Sequence, residues 1–431
     1  MPQNTIALSD PVHGFIKVPH KLIQLLLQTR EVQRLRQIKQ LGMGFIVFPS
    51  AEHSRFPHAL GSMGLLSEAL ENLKAKGTKI NKSEKLAALA AILLHDIGHS
   101  PFSHTLERKL ITDATHEEIS NALIHRLQTK LDEPLLNLAL QMINKEYQRP
   151  FFGQLISGQL DMDRLDYLRR DSLFTSVVEG KIGVDRILRT LCVHPNRDGE
   201  DSHLAIESKG VYAVENVLIA RRLMYWQVYL HKTVVAADAV LHGVIQRVRD
   251  LIDDGNLQAI VGISPTLHWF LSQEITKERL NEDEVLDQFL NLDDADIIYS
   301  LKKWCTSNDQ ILADLSHRMM TRNLFRCTFI NKKFNKDNGV VQLWKNLVTQ
   351  SLNKQGISDS NVGRYYLHTG YSSNSTYESK EGDIKVVTPD GKIYNLHEYS
   401  DATSIRALTN FVDKQYVCYP KSVDLELSTI L

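Results

Sequence analysis

His95 and Asp96 close an apolar run, Leu93-Leu94-His95-Asp96-Ile97-Gly98-His99-Ser100-Pro101-Phe102-Ser103-His104, and further histidines follow four and nine positions after His95. Setting an imidazole and a carboxylate beside a hydrophobic core costs on the order of several kcal/mol unless each finds a partner. A divalent metal suits both ligand types. The dipeptide is therefore the first place to look for function.

A second segment, Glu52-His53-Ser54-Arg55-Phe56-Pro57-His58, lies upstream, and a third, Asp161-Met162-Asp163-Arg164-Leu165-Asp166-Tyr167-Leu168-Arg169-Arg170-Asp171, lies downstream. On a helix Asp163, Asp166, Tyr167, Arg170 and Asp171 share one stripe. That stripe predicts carboxylates, a phenol and a guanidinium facing one cavity, with Leu160, Leu165 and Leu168 packed elsewhere. Taken alone, such a stripe is most often a solvated helix face, and a lone His58 is a loop or core histidine. The ordered combination of His58, His95-Asp96 and Asp163 is what favours a metal site.

Helices must position these groups. Periodicity predicts one over 21–41, and Asn81 with Glu84 three residues on forms a capping-box pattern that opens a helix ending near Gly98. Further helices are expected at 116–128, 132–146, 161–171 and 209–252, with a small hairpin from Leu191 to Ile206. Past residue 255, helices at 264–275, 281–290 and 308–322 alternate with strand-like pieces. The clearest of these is a hairpin around Pro389-Asp390-Gly391. Ser372 to Gly382 reads as a mobile polar loop. The expected fold class is mainly α: a helical core over 1–255 and a smaller mixed α+β C-terminal lobe over 256–431.

The 431 residues are 43% hydrophobic and 23% charged, as in ordinary globular proteins. Fifty basic residues against 51 acidic ones create no global field for nucleic acid. The four cysteines, Cys192, Cys305, Cys327 and Cys418, are scattered and read as reduced thiols. The amino terminus lacks signal-peptide character, and the longest apolar run, Leu86 to Leu94, is half a membrane span. A cytoplasmic protein with no membrane partner is expected.

The pattern of His58, His95-Asp96 and Asp163 resembles the HD-domain phosphohydrolases. Asp10-Pro11-Val12-His13-Gly14, Gln33 to Gly42, Val47-Phe48-Pro49, His95 to His104, Thr115-His116-Glu117 and Asp163 to Asp171 narrow it to the deoxynucleoside triphosphate triphosphohydrolase branch. They are most similar to its SAM-and-HD type, although no SAM domain fits before Asp10. The ordered blocks cover residues 6–250. The resemblance implies an HD-domain core and one divalent ion held by His58, His95, Asp96 and Asp163: manganese, iron, nickel or magnesium, with zinc an alternative as purified. It implies His104 as proton donor, Glu107 as its orienting partner and His116 as a further catalytic position. Arg55, Arg164 and Arg221 correspond to phosphate contacts, and His99 falls one turn from His95. Gln40, Leu41, Tyr167 and Asp171 correspond to residues around the deoxyribose, and Tyr229 to one beside the base. Partners implied are a dNTP substrate, a nucleotide activator and further copies of the chain in a dimer or tetramer.

Glu107 stands where the family usually has aspartate, Leu230 where the nearest branch has glutamine, and Tyr225 where it has histidine. Gln28 and Ile6 depart from the activator site of that branch while Gln33 and Arg36 match, so guanine-nucleotide activation is expected to be altered or lost. The expected reaction is hydrolysis of dNTPs to deoxynucleoside and tripolyphosphate. One alternative is an HD phosphatase or phosphodiesterase acting on another nucleotide ester. A second is a nucleotide-sensing or single-strand nucleic-acid-binding protein, which the neutral charge balance does not favour.

Overall fold

The computed structural model describes residues 6–18, 20–195, 202–330, 339–357, 359, 361–374, 383–401 and 412–425. It is mainly helical, as the periodicity predicts, with small sheets that draw on both halves of the chain.

The helix Lys82–Leu94 sits at the centre. Its apolar residues run all the way round, so it is stable only when enclosed, and Leu86 to Leu94 are all buried. The expected capping box is formed: Asn81 accepts from the Glu84 N–H, and the Glu84 carboxylate accepts from the Asn81 N–H. Such a cap stabilises a helix start by about 1 kcal/mol. The helix ends at Leu94, so His95 is its C-cap and Asp96 begins the turn beyond. Packed on it is the long helix Arg55–Ala75, which periodicity did not reveal, and that helix in turn packs against Met162–Thr175.

Two long helices expected from the sequence are interrupted. The span 21–41 divides into Lys21–Leu27 and Arg30–Arg34, followed by a 3-10 turn, because Thr29 folds its hydroxyl back onto the Leu26 carbonyl and starts a new helix. The span 209–252 divides into Val211–Met224 and Lys232–Asp253, joined by a π turn at Tyr225–Tyr229 and bent by 51°. His231 caps the second piece by accepting from the Thr233 N–H. The bend places Tyr225, Tyr229 and Leu230 on the wall of a cleft. Neither piece, nor any other single described helix, is long and apolar enough to cross a membrane.

The hairpin Leu191–Pro195 with Ser202–Glu207 forms as expected. So does the Pro389-Asp390-Gly391 hairpin, with Val386 opposite Tyr394 and Gly391 at φ +80°. The two hairpins join in one sheet, because Ala205 to Glu207 pair in parallel with Lys385 to Val387. Sheet and core thus run continuously across the division expected at residue 255. Helices at Asp294–Trp304 and Val340–Lys354 add to those expected. Of the polar stretch 372–382, the first residues extend the strand His368–Asn374, and 375–382 lie outside the described residues.

Candidate metal centre and catalytic cleft

His58 lies in the first turn of Arg55–Ala75, His95 and Asp96 at the end of Lys82–Leu94, and Asp163 in the first turn of Met162–Thr175. Asp161 fixes that last start by accepting from the Arg164 N–H at 2.7 Å. Three helix ends therefore converge. His58 Nε2 is 2.9 Å from Asp163 Oδ1 and 3.7 Å from Asp96 Oδ2, and His95 Nε2 is 3.3 Å from Asp96 Oδ1 and 3.4 Å from Asp163 Oδ1.

The outer nitrogens fix the tautomers. His58 Nδ1 donates to Asp166 Oδ2 at 2.7 Å, and His95 Nδ1 donates to the Ile92 carbonyl at 2.7 Å. Both Nε2 lone pairs then face the carboxylates, and both atoms are buried without a hydrogen-bond partner. Two acceptor nitrogens and two carboxylates turned on one point leave a deficit of positive charge. Burial opposes a proton on either ring. The surrounding carboxylates, Asp163 and Asp166 for His58 and Asp96 and Asp163 for His95, outweigh it and push the imidazoles up to about 10 and about 9. A divalent cation meets the same demand, and the donor set fits one.

Asp166 is held on every side. Arg170 donates to both its oxygens at 2.9 Å, and His13 Nε2 donates to Oδ1 at 2.6 Å. Arg170 also reaches Asp10 at 2.8 Å, and Asp10 accepts from the Val12 and His13 N–H groups. The expected stripe thus splits. Asp163, Tyr167 and Asp171 face the cleft, while Asp166 and Arg170 turn toward the helix Arg55–Ala75, because Gly61 lets the two helices approach there. Arg170, expected to face the cavity, instead pairs inside the core, and Asp10 and His13 received no individual role from sequence reasoning. The signal for those two was the Asp-Pro-Val-His-Gly block itself, which has no local reason to be near a helix 150 residues away.

Above this floor opens a cleft of about 530 Å³ lined by Gln40, Leu41, Arg55, His99, His104, His116, Tyr167, Asp171, Arg221 and Tyr229, with Asp96 and Asp163 at its base. Glu107 lies behind it and bridges two histidines: Oε2 accepts from His104 Nδ1 at 2.7 Å, and Oε1 accepts from His116 Nδ1 at 2.8 Å and from its backbone N–H at 3.0 Å. Burial favours a neutral Glu107, yet the bonds from His104 and His116 hold its carboxyl well below the usual carboxylate range. The exposed His104 ring keeps Nε2 for a ligand. His99 stacks on His116 at 4.0 Å, and burial, with Arg55 beside it, keeps His99 neutral.

Arg55 sits low in the cleft, where it binds Asp96 and Ser103 Oγ and so orients a metal ligand as well as facing the cavity. Of the sequence-predicted residues, His58, His95 and Glu107 lie behind the cleft surface and Arg164 is off its wall; the Arg164 Nε lies 3.5 Å from Asp161 Oδ2, drawn to the carboxylate that caps its own helix. On the opposite wall Asp171 accepts from the Tyr229 hydroxyl at 2.8 Å and from His53 Nε2 at 2.8 Å. His53 stacks on Phe174 at 4.5 Å and is a further residue to which the sequence assigned no role. Tyr167 meets Tyr229 edge to face at 6.0 Å.

The segment carrying His104 is held from afar. Phe102 and Ser103 have φ of 55° and 57°, a left-handed pair that costs roughly 1–3 kcal/mol per residue and persists only when surroundings impose it. Asp294 imposes it: Oδ1 accepts from the Phe102 N–H at 2.6 Å and Oδ2 from the Lys39 N–H at 2.9 Å.

A model of the HD domain matches residues 55–171, and one of the HD-associated region matches 182–260. A solved phosphohydrolase from Bacteroides thetaiotaomicron is 42% identical, with a TM-score of 0.87 over 96% of this chain and 99% of that one. The uncharacterized protein YwfO of Bacillus subtilis is 33% identical over 404 residues, 91% of this chain and 87% of its own. The deoxynucleoside triphosphate triphosphohydrolase SAMHD1 of Bos taurus is 26% identical over 288 residues, 57% of this chain and 48% of that protein, so the match spans about half that relative's length.

Proposed function

The chain belongs to the HD-domain phosphohydrolase family, and from that premise we propose that it hydrolyses deoxynucleoside triphosphates to deoxynucleoside and tripolyphosphate. The observation that carries this reading is one cleft that brings together Asp96 and Asp163, with His58 and His95 against them, the Glu107-bridged histidines and the wall of Tyr167, Tyr229 and Asp171.

His58, His95, Asp96 and Asp163 would hold the divalent ion, which when bound supplies Lewis-acid polarisation of a phosphate and a more acidic water. The side chains divide the remaining work. Arg221, with Arg55 below it, neutralises phosphate oxygens that would otherwise repel Asp96 and Asp163. Water adds to the α-phosphorus as the bond from phosphorus to the 5′-oxygen breaks, and the proton the water sheds passes to solvent, from which His104 is reprotonated. Protonated His104 gives its Nε2 proton to that oxygen, while Glu107 holds the ring through Nδ1. His116 stands beside it as a further imidazole, and His99, held neutral with Nδ1 donating to the Asp96 carbonyl, packs on His116 and offers the polyphosphate no proton.

Asp171 has a spare lone pair for the sugar 3′-hydroxyl even with Tyr229 and His53 bound. Tyr167 occupies the adjoining space, where a 2′-hydroxyl would be crowded. Gln40 and Leu41 close the same end. Tyr225 and Leu230 replace the family's polar base contacts, and the Tyr225 hydroxyl is bonded to Ser372 Oγ at 2.9 Å. Base selectivity is accordingly weak in this reading.

The test is product analysis. Purified protein with manganese is incubated with each dNTP, NTP, nucleoside monophosphate and cyclic nucleotide, and the products are separated chromatographically. Tripolyphosphate from dNTPs is the expected result. Orthophosphate from monophosphates, or opening of a cyclic nucleotide, would replace this reading with another phosphoesterase.

A further inference from the structure

A second cavity, of about 290 Å³, lies behind the His104 segment, and Asp238 lines both it and the catalytic cleft. Its wall combines Lys109, from the end of that segment, with Asp238, His242 and Arg249 of the helix Lys232–Asp253 and Arg364 and His368 from further along the chain. Asp238 and His242 grip Thr105, the neighbour of His104. The Thr105 hydroxyl donates to Asp238 at 2.8 Å, and His242 Nε2 donates to the Thr105 carbonyl at 2.6 Å.

The charge in this cavity is unbalanced. Three cations face a single lining carboxylate, Asp238. Arg364 is paired with Asp250 at 2.8 Å. Among the described residues, neither Lys109 nor Arg249 has a carboxylate within ion-pair distance, and Arg249 instead donates to the Lys109 carbonyl at 2.8 Å. Asp253 and Glu274 act on Arg249 only from beyond contact, so two cations without a directly paired carboxylate converge where the catalytic segment ends. Burial keeps His242 and His368 neutral, pushed down to about 4 and about 3, so neither adds charge to the cavity. Burial also pushes Asp238 up to about 7, so near neutrality it carries a proton for part of the time and can donate to an anion. Gln246 and Thr369 add neutral donors. The volume lies at the bottom of the range for small-molecule pockets and suits a compact anion better than a whole nucleotide.

We propose that this cavity binds a multivalent phosphate, either free polyphosphate or the phosphate tail of a nucleotide, through Lys109, Arg249 and Arg364, and that Thr105 couples its occupancy to His104. The site stands apart from the substrate of the cleft, so it can fail or succeed independently of that reading.

Calorimetric titration with inorganic pyrophosphate tests it in the wild type, in Lys109→Gln/Arg249→Gln and in Arg221→Gln. Loss of two charged contacts should weaken one binding equivalent by about tenfold or more in the double variant. Arg221→Gln should leave that equivalent in place. An isotherm unchanged in the double variant, or one changed only by Arg221→Gln, overturns the site. Lys109 is exposed, so the single Lys109→Gln variant serves if the double variant melts early. A parallel titration with a non-hydrolysable dNTP identifies the source: weakening of pyrophosphate alone points to free polyphosphate, and weakening of both to a nucleotide tail. Hydrogen exchange of residues 103–109 reads the coupling, with slowed exchange expected on adding pyrophosphate to wild type. Unchanged exchange with binding intact overturns the link to His104.

Discussion

His58 Nδ1 and Asp166 Oδ2 are joined at 2.7 Å, and that bond leaves the opposite ring nitrogen facing Asp163 and Asp96. Asp166 is not itself near the cleft. It is a buried carboxylate paired with Arg170 and hydrogen-bonded to His13, so the geometry of one metal ligand is set by an ion pair inside the core. A partner in this position commonly changes metal affinity by 10–100-fold.

Asp166→Asn therefore should lower metal affinity by about tenfold to a hundredfold. It also removes one of the two carboxylates paired with the buried Arg170 and leaves Asp10, so stability should fall by less than the roughly 3–5 kcal/mol of a buried charge left wholly unpaired. Metal content by elemental analysis and thermal melting read the two effects separately. Full metal occupancy at limiting metal would refute the orienting role.

Gly61 is the companion to that pair. A Cβ at this position would lie 1.9 Å from Asp166 Oδ1 and 2.5 Å from Arg170 Nη2. Gly to Ala inside an ordinary helix gains about 1 kcal/mol. Here the colliding atoms are locked by their own bonds, so Gly61→Ala should destabilise and lose metal together. A melting temperature equal to or above wild type would show that the two helices can separate without cost.

The ligand set and the proton donor separate by substitution. Asp163→Ala removes a carboxylate from the floor and should abolish turnover along with metal content. His104→Ala touches none of the four ligands and should retain the metal while turnover falls by about 10²–10⁴-fold, the usual scale of general acid catalysis. Metal loss in both variants would undo the assignment of His104.

The elements legible in the sequence were those whose cause is local. The apolar run Leu86 to Leu94, its Asn81 cap and the Pro389-Asp390-Gly391 turn each carry their own signal, and His95-Asp96 was found because it ends such a run. The helix Arg55–Ala75 was hidden because it is buried on most faces and interrupted by Gly61, Ser62 and Gly64, which blur a 3.6-residue period. The break at Thr29 and the π turn at Tyr225–Tyr229 depend on side-chain capping and on the packing they meet. Contacts between distant residues left no local trace: His13 reaches Asp166 across 153 positions, and Asp294 reaches Phe102 across 192.

That last contact has a pH signature. Burial pushes the Asp294 carboxyl up to about 6, although it accepts from the Phe102 and Lys39 N–H groups. The unfolded chain releases this proton near the ordinary value of about 3.9. Between about pH 4 and 6 the folded state thus holds more protons than the unfolded state, and stability falls as pH rises through that window. The contribution is fully present below about pH 4 and is on the order of 2–3 kcal/mol at one pKa unit per 1.36 kcal/mol. Asp294→Asn keeps an acceptor oxygen but cannot ionise, so its stability relative to wild type should improve by that amount from pH 4 to pH 6. Denaturant melts at several pH values measure the difference. Parallel curves for the two proteins would mean that Asp294 is ionised throughout and that the left-handed turn at Phe102 and Ser103 is held by a charged carboxylate.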